Sequence, residues 1–285
     1  MNKHKAAILV DSGTDVPTEI SQQGHFFTIP LKIIYQDGEY TDKVDISAEE
    51  IYQRLPIEIP KTSLPDGETI QAIFDEIKAQ GYEKVLAITI SSGLSGTYNA
   101  VRLLGEQYEG LEITMIDTKN IGIGAGFLAI LADQWLREDY SWSALLEKID
   151  QQIKKDKVFF NVATLEYLQK GGRIGLVASI LGNALKLAPI ISCNENGVYH
   201  TVAKTRGRKK SLEKTVELVK KFIGNHQRFN LAVAHGDALA DAEMMQEQLQ
   251  QVFPTANKIY FGQISPALVV HTGPGLLGVG VQLLD

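Results

Sequence analysis

The run Ser91-Ser92-Gly93-Leu94-Ser95-Gly96-Thr97-Tyr98 gathers hydroxyls and glycines between an apolar stretch, Val85–Ile90, and an amphipathic one, Thr97–Tyr108. At a strand-to-helix junction this composition suits anion capture. The first N–H groups of a helix lack intrahelical partners, and the aligned peptide dipoles add partial positive charge. Ser92 and Ser95 can donate to an acid oxygen, and the glycines permit close approach. A plain helix start would use the same residues, since serine is a preferred N-cap. Two further segments share this character: Lys61-Thr62-Ser63-Leu64-Pro65-Asp66 and His271-Thr272-Gly273-Pro274-Gly275. In the first, Pro65 and Asp66 read as a helix entry, which leaves Thr62 and Ser63 without a structural explanation. In the second, His271 reads as a polar-loop imidazole that can donate to a carboxylate or orient a serine that does.

Other chemistries compete for these residues. Gly93-Leu94-Ser95-Gly96-Thr97 approaches a nucleophile elbow, but Thr97 stands where that motif needs glycine. The chain order Ser95, Asp237, His271 nevertheless suits an esterase-like serine hydrolase. Gly122-Ile123-Gly124-Ala125-Gly126 departs from the dinucleotide fingerprint and reads as helix packing, and no Walker A sequence occurs. The basic cluster Lys204-Thr205-Arg206-Gly207-Arg208-Lys209-Lys210 offers a docking surface or a charge clamp on a phosphoryl group. Arg173, in Gly171-Gly172-Arg173-Ile174, adds a second guanidinium.

These residues need a scaffold, and short apolar strands alternating with longer helical patterns supply one of the βαβ type. Strands are expected at Ala6–Val10, Val85–Ile90, Ile113–Ile116 and Val158–Val162, with an extended segment at Phe26–Tyr35. Helices are expected from Asp66 to Gln80, Thr97 to Tyr108, Gly122 to Arg137 and Ser141 to Lys155. Polar turns follow the strand ends at Asp11–Asp15, Ser91–Gly96 and Asp117–Asn120, the edge where open parallel sheets bind ligands. Beyond that, Asn194-Glu195-Asn196-Gly197 reads as a hairpin turn, and Ser211–Ile223 and Ala238–Val252 read as helices. The expected fold class is α/β with two α/β domains, residues 1–160 with a mainly parallel Rossmann-like sheet and residues 161–285 contributing the His271 loop.

With 285 residues, 44% hydrophobic residues and 22% charged ones, the chain has the composition of an ordinary globular protein. A formal net charge of −6 opposes nonspecific nucleic-acid binding. One cysteine, Cys193, excludes an internal disulfide and a cysteine-rich metal site. The apolar stretch at Ala6–Val10 is too short for a secretory leader and no run approaches a membrane span, so a cytoplasmic protein is expected.

Taken in order, Asp11-Ser12, Thr62-Ser63-x-Pro65, Ser91-Ser92-x-Leu94-Ser95-Gly96-Thr97-Tyr98, Leu165-Glu166-Tyr167-Leu168 with Gly171-Gly172-Arg173-Ile174, and His271-Thr272-Gly273-Pro274-Gly275 resemble the DegV family over nearly the whole chain. The resemblance implies a two-domain, bacterial, cytoplasmic protein that binds a long-chain fatty acid without a cofactor. It further implies a non-catalytic binding subunit that presents the carboxylate to a separate ATP-binding fatty acid kinase subunit, giving an acyl phosphate for phospholipid synthesis. A lipid-sensing regulatory protein is the variant without a kinase. Carried over, Thr62, Ser95 and His271 hold the carboxylate and Arg206 faces the kinase partner; by their own chemistry Ser92 joins the carboxylate set and Arg173 the partner or phosphate contact. Leu64 and Asp66 depart from the usual threonine-serine-glutamine-proline-serine pattern. The expected lipid tunnel lies between or beside the domains, with walls from Ile121–Leu131, Phe159–Leu168 and Ile174–Leu187. No integral membrane segment is implied, only transient membrane contact.

Overall fold

A computed structural model describes residues 2–179 and 187–285. Among these, the strands are β1 (Ala6–Asp11), β2 (Phe26–Ile29), β3 (Lys32–Tyr35), β4 (Gly38–Thr41), β5 (Lys61–Ser63), β6 (Lys84–Thr89), β7 (Glu112–Asp117), β8 (Asp156–Asn161), β9 (Ala188–Cys193), β10 (Tyr199–Thr205), β11 (Phe229–Gly236), β12 (Lys258–Gln263) and β13 (Leu276–Leu283). They form a parallel sheet in the order β2-β1-β6-β7, a mixed sheet in the order β10-β9-β8-β13-β11-β12, and a small antiparallel sheet β4-β3-β5.

The sequence of β1 explains its place. It is apolar at nearly every position because both faces are covered, as parallel sheets require. Ala6, Ile8 and Val10 face one core, while Ala7 and Leu9 face another beneath helices Gly67–Ala79 and Thr97–Gly105. Helix Ile123–Leu136 fills the first of these cores and packs against β1 and β6 on one side and β8 and β13 on the other. This accounts for its apolar residues all round: Phe127 is fully buried, and even Asp133 is covered. Helices Arg208–Ile223 and Leu239–Val252 cover the far face of the mixed sheet through Val216, Val219, Met245 and Leu249.

Three details refine the sequence reading. Phe26–Tyr35 is two strands of different sheets, broken at Pro30-Leu31. The second sheet is mixed, with only β11 and β12 parallel in it. The division expected at residue 160 falls inside β8, which belongs to the second sheet. The hairpin at Asn194–Gly197 joins β9 to β10, with the Gly197 N–H donating to the Asn194 carbonyl at 2.8 Å. Among the described residues no helix is long and apolar enough to cross a membrane.

Candidate functional site

A cavity of about 320 Å³ opens at the carboxyl edge of the parallel sheet and runs toward the mixed sheet. Its interior is apolar: Leu31, Ile90, Ile121, Val158, Phe160 and Leu268 are among its walls. Its polar groups are Thr62, Ser63, Ser95, Arg173, His271 and Thr272. An enclosed apolar volume with few polar groups is the form of a small-molecule site.

Each polar group is placed by its own element. Thr62 is the middle residue of β5, paired with Ile33 of β3. His271 occupies the last turn of helix Pro266–Thr272, which starts with Pro266 after Ser265 and stops at Gly273 with φ +66°. The polar loop expected around His271 is therefore a helix. The Thr62 hydroxyl and His271 Nε2 are 2.7 Å apart, although 209 residues separate them in sequence. Gly171 lies flat against the other ring nitrogen, since a Cβ there would be 2.9 Å from His271 Cε1 and nearer still to Nδ1. His271 Nδ1 is buried and has no partner. Burial, with the Arg173 guanidinium adding a like-charge effect, pushes the imidazole down to about 3, so the ring is neutral at physiological pH. Protonating Nε2 leaves Nδ1 as a bare lone pair rather than an orphaned N–H. In that tautomer His271 donates to Thr62, and the Thr62 hydroxyl points its own proton into the cavity.

Ser95 precedes helix Thr97–Gly105, whose N-cap, Gly96, offers no side chain. The Ser95 hydroxyl instead accepts the Thr97 N–H at 3.3 Å and sits 2.9 Å from the Thr97 hydroxyl. Arg173 ties this loop to the Gly171 turn, donating from Nε to the Leu94 carbonyl at 3.2 Å and from Nη1 to the Gly171 carbonyl at 2.8 Å. Leu64 packs on Gly96, where a Cβ would be 3.2 Å from the leucine methyl, and so roofs the polar end.

The structure thus brings Thr62, Ser95, Arg173 and His271 to one cavity and leaves two expected residues elsewhere. Ser92 does not line it: its N–H donates to Asp117 at 3.1 Å and its hydroxyl accepts from Lys119 Nζ at 3.4 Å. Arg206 is exposed on the turn between β10 and helix Arg208–Ile223, away from the cavity walls. Of the expected tunnel walls, Ile121, Ile123 and Phe160 line the cavity, and residues 180–186 of the third stretch lie outside the described residues. The hydrolase arrangement is not assembled. His271 bonds Thr62 rather than Ser95, and Asp237 lines a separate pocket beside Arg208 and Ser211.

The family model described as "Uncharacterised protein, DegV family" matches residues 5–283. The chain belongs to the DegV family. A DegV domain-containing protein of Clostridium acetobutylicum is 37% identical over 275 residues, 96% of this chain and 98% of that one. A DegV family protein from Thermus thermophilus, solved for its fatty acid binding, superimposes with a TM-score of 0.92 at 26% identity over all of both chains. A fatty acid (stearic acid)-binding protein from Eubacterium ventriosum gives 0.87 at 28% identity, covering 98% of each chain. Both of these solved proteins are fatty-acid binders and share the fold described above. For this DegV chain the sequence reading did not reach Leu31, Ile90 or Tyr199 as cavity residues, because an apolar side chain looks alike whether it meets ligand or protein.

Proposed function

We propose that this DegV protein binds a long-chain fatty acid in the cavity, with the carboxylate against Thr62, Ser95 and His271 and the acyl chain along Leu31, Ile90, Phe160 and Leu268. The observation that carries this reading is the pairing of Thr62 with a neutral, half-buried His271 at the polar end of an otherwise apolar cavity. Hydroxyls and the N-terminus of helix Thr97–Gly105 can donate to both carboxylate oxygens. Arg173 lies beside them and balances the acid. Delipidated protein offered stearic or oleic acid gains that mass in native mass spectrometry. Thr62→Ala with Ser95→Ala loses it, and an empty wild type overturns the reading.

The finer role rests on the family resemblance. As the binding subunit of a fatty acid kinase, the protein presents its ligand to a separate ATP-binding subunit. A carboxylate oxygen attacks the γ-phosphorus of ATP, the bond to the ADP oxygen breaks, and acyl phosphate and ADP leave. Such a transfer depends on positioning and charge stabilisation, so the carrier needs no nucleotide site. Exposed Arg206, with Lys204, Lys209 and Lys210 around it, is the surface assigned to the partner. Hydroxylamine trapping of acyl phosphate in a reconstitution with the kinase subunit, ATP and fatty acid tests this. Product formation that is indifferent to Arg206→Ala removes the arginine from the interface. We also place the cytoplasm as its compartment, and the start of the second unit at Asp156, the first residue of β8.

A further inference from the structure

Three residues that wall the cavity, Leu31, Ile90 and Ala267, come from three different elements, yet their amides converge on one buried polar knot. The Leu31 N–H donates to Ser12 Oγ at 3.0 Å, the Ile90 N–H to Asp11 Oδ2 at 2.8 Å, and the Ala267 N–H to Asp42 Oδ1 at 3.1 Å. Two of the acceptors are joined directly, because the Ser12 hydroxyl donates to Asp42 Oδ2 at 2.6 Å, and Asp11, whose other oxygen accepts the Gly13 N–H at 3.0 Å, is the chain neighbour of Ser12. Asp11 and Asp42 are 0% and 1% exposed, too deep for water to share the load. Beside them Asp15 Oδ1 accepts the Ser265 N–H and Lys43 Nζ, each at 3.0 Å, so two carboxylates hold the start of the helix that ends in His271. No contact of the proposed carboxylate site uses any of these groups.

We propose that Asp11, Ser12 and Asp42 form a positioning network that holds three walls of the cavity at fixed spacing and thereby sets how long a fatty acid is retained, with Asp42 as its centre. This rests on the fatty-acid reading above. Asp42 is the centre because it alone accepts from both the network and the His271 helix. Both of its oxygens must act as acceptors; a proton on either turns an acceptor into a donor and strands Ser12 or Ala267. The charged and titratable groups facing it are Asp11, Asp15 and Lys43, with Tyr52 of helix Ala48–Arg54 facing Asp15. Burial pushes Asp42 up to about 6 and Asp11 to about 7, which brings protonation into an accessible range.

The test is exchange of bound stearate for deuterated stearate, followed by native mass spectrometry at pH 7.5 and 5.5. Loss of one charge-assisted bond is worth about a tenfold faster exchange, expected for Asp42→Asn and Asp42→Ala at pH 7.5 and for the wild type on acidification. In Asp42→Asn the pH response shrinks to the part carried by Asp11, and in the Asp11→Asn, Asp42→Asn double variant it disappears. Wild-type rates in both variants, or a pH response that survives intact in Asp42→Asn, overturn the proposal. Amide hydrogen exchange on ligand-free protein separates this outcome from failure of the fatty-acid reading. The network predicts faster exchange at Leu31 and Ala267 in Asp42→Asn, with Ile88 in the β1–β6 ladder unchanged. Unaltered exchange at Leu31 and Ala267 overturns it whether or not stearate binds.

Discussion

Gly171 and Gly172 are neighbours with opposite surroundings, and replacing each by alanine separates binding from folding. A methyl on Gly171 lies 2.9 Å from His271 Cε1 and 2.9 Å from the Tyr167 carbonyl oxygen. Such atoms rest about 3.5–4.0 Å apart, so the imidazole must retreat by roughly 1 Å. The Thr62–His271 bond, 2.7 Å long, then passes out of hydrogen-bonding range. The Thr62 hydroxyl is then no longer aimed at the carboxylate, and since a hydrogen bond to a charged acceptor contributes about 1.5–3 kcal/mol, Gly171→Ala should weaken fatty-acid binding about 10- to 150-fold. Gly172 has φ +71° and open space where its Cβ would be. Gly172→Ala therefore costs about 1–2 kcal/mol of folding stability and leaves binding unchanged. Competitive displacement of a fluorescent fatty-acid analogue, run beside urea unfolding, reads both quantities. Because His271→Ala removes the obstacle, Gly171→Ala should add nothing on that background. Wild-type affinity in Gly171→Ala, or an equal loss with and without His271, refutes the head-group geometry.

Ser95 should resist fluorophosphonate labelling, since no base or carboxylate is aligned with it; a stoichiometric mass gain at Ser95 would restore the hydrolase reading. Cys193 is 3% exposed, and burial pushes its thiol up to about 12, so iodoacetamide at pH 8 should label it only as fast as the protein unfolds. Rapid labelling of the native protein contradicts that burial. Gly280→Ala places a methyl 2.8 Å from Phe127 Cε2 in the core between the sheets and should cost about 1–3 kcal/mol by overpacking. Phe127→Leu should recover part of that loss, and a urea midpoint unchanged by Gly280→Ala would show that the ring moves freely.

The alternation of strands and helices was legible because each element has a local period or a local stop signal. Asp66 caps its helix through the Thr69 N–H, as its position after Pro65 predicts. Pro30 marks the break between β2 and β3, since proline cannot donate to a sheet ladder, but apolar residues continue through it and hide the change of sheet. Ser47 and Glu50 form a capping box that marks helix Ala48–Arg54, a signal present in the sequence and passed over. Helix Pro266–Thr272 also carried its signals, Pro266 at the start and Gly273 at the end, but seven residues are too few to show a period. At the site, Ser92 and Ser95 look equivalent in sequence. Asp117 and Lys119 at the end of β7 turn Ser92 away, a decision made 25 residues downstream. Asp42 lies 30 residues from Ser12 and 225 from Ala267. No spacing rule reaches that far.

Helix Ile123–Leu136 is buried on every side from Ile123 to Asp133, and that limits how the molecule can open. Hinging the two sheets apart would uncover Phe127, Leu128 and Ile130 together, each worth roughly 1.5–3 kcal/mol of transfer to water. The polar end, where Leu64 and the Gly171 turn sit on short elements, opens at lower cost. The same arithmetic counts against a viable half-molecule: a fragment ending before β8 would carry this helix with one side bare, so the chain should melt in a single cooperative step despite having two large sheets.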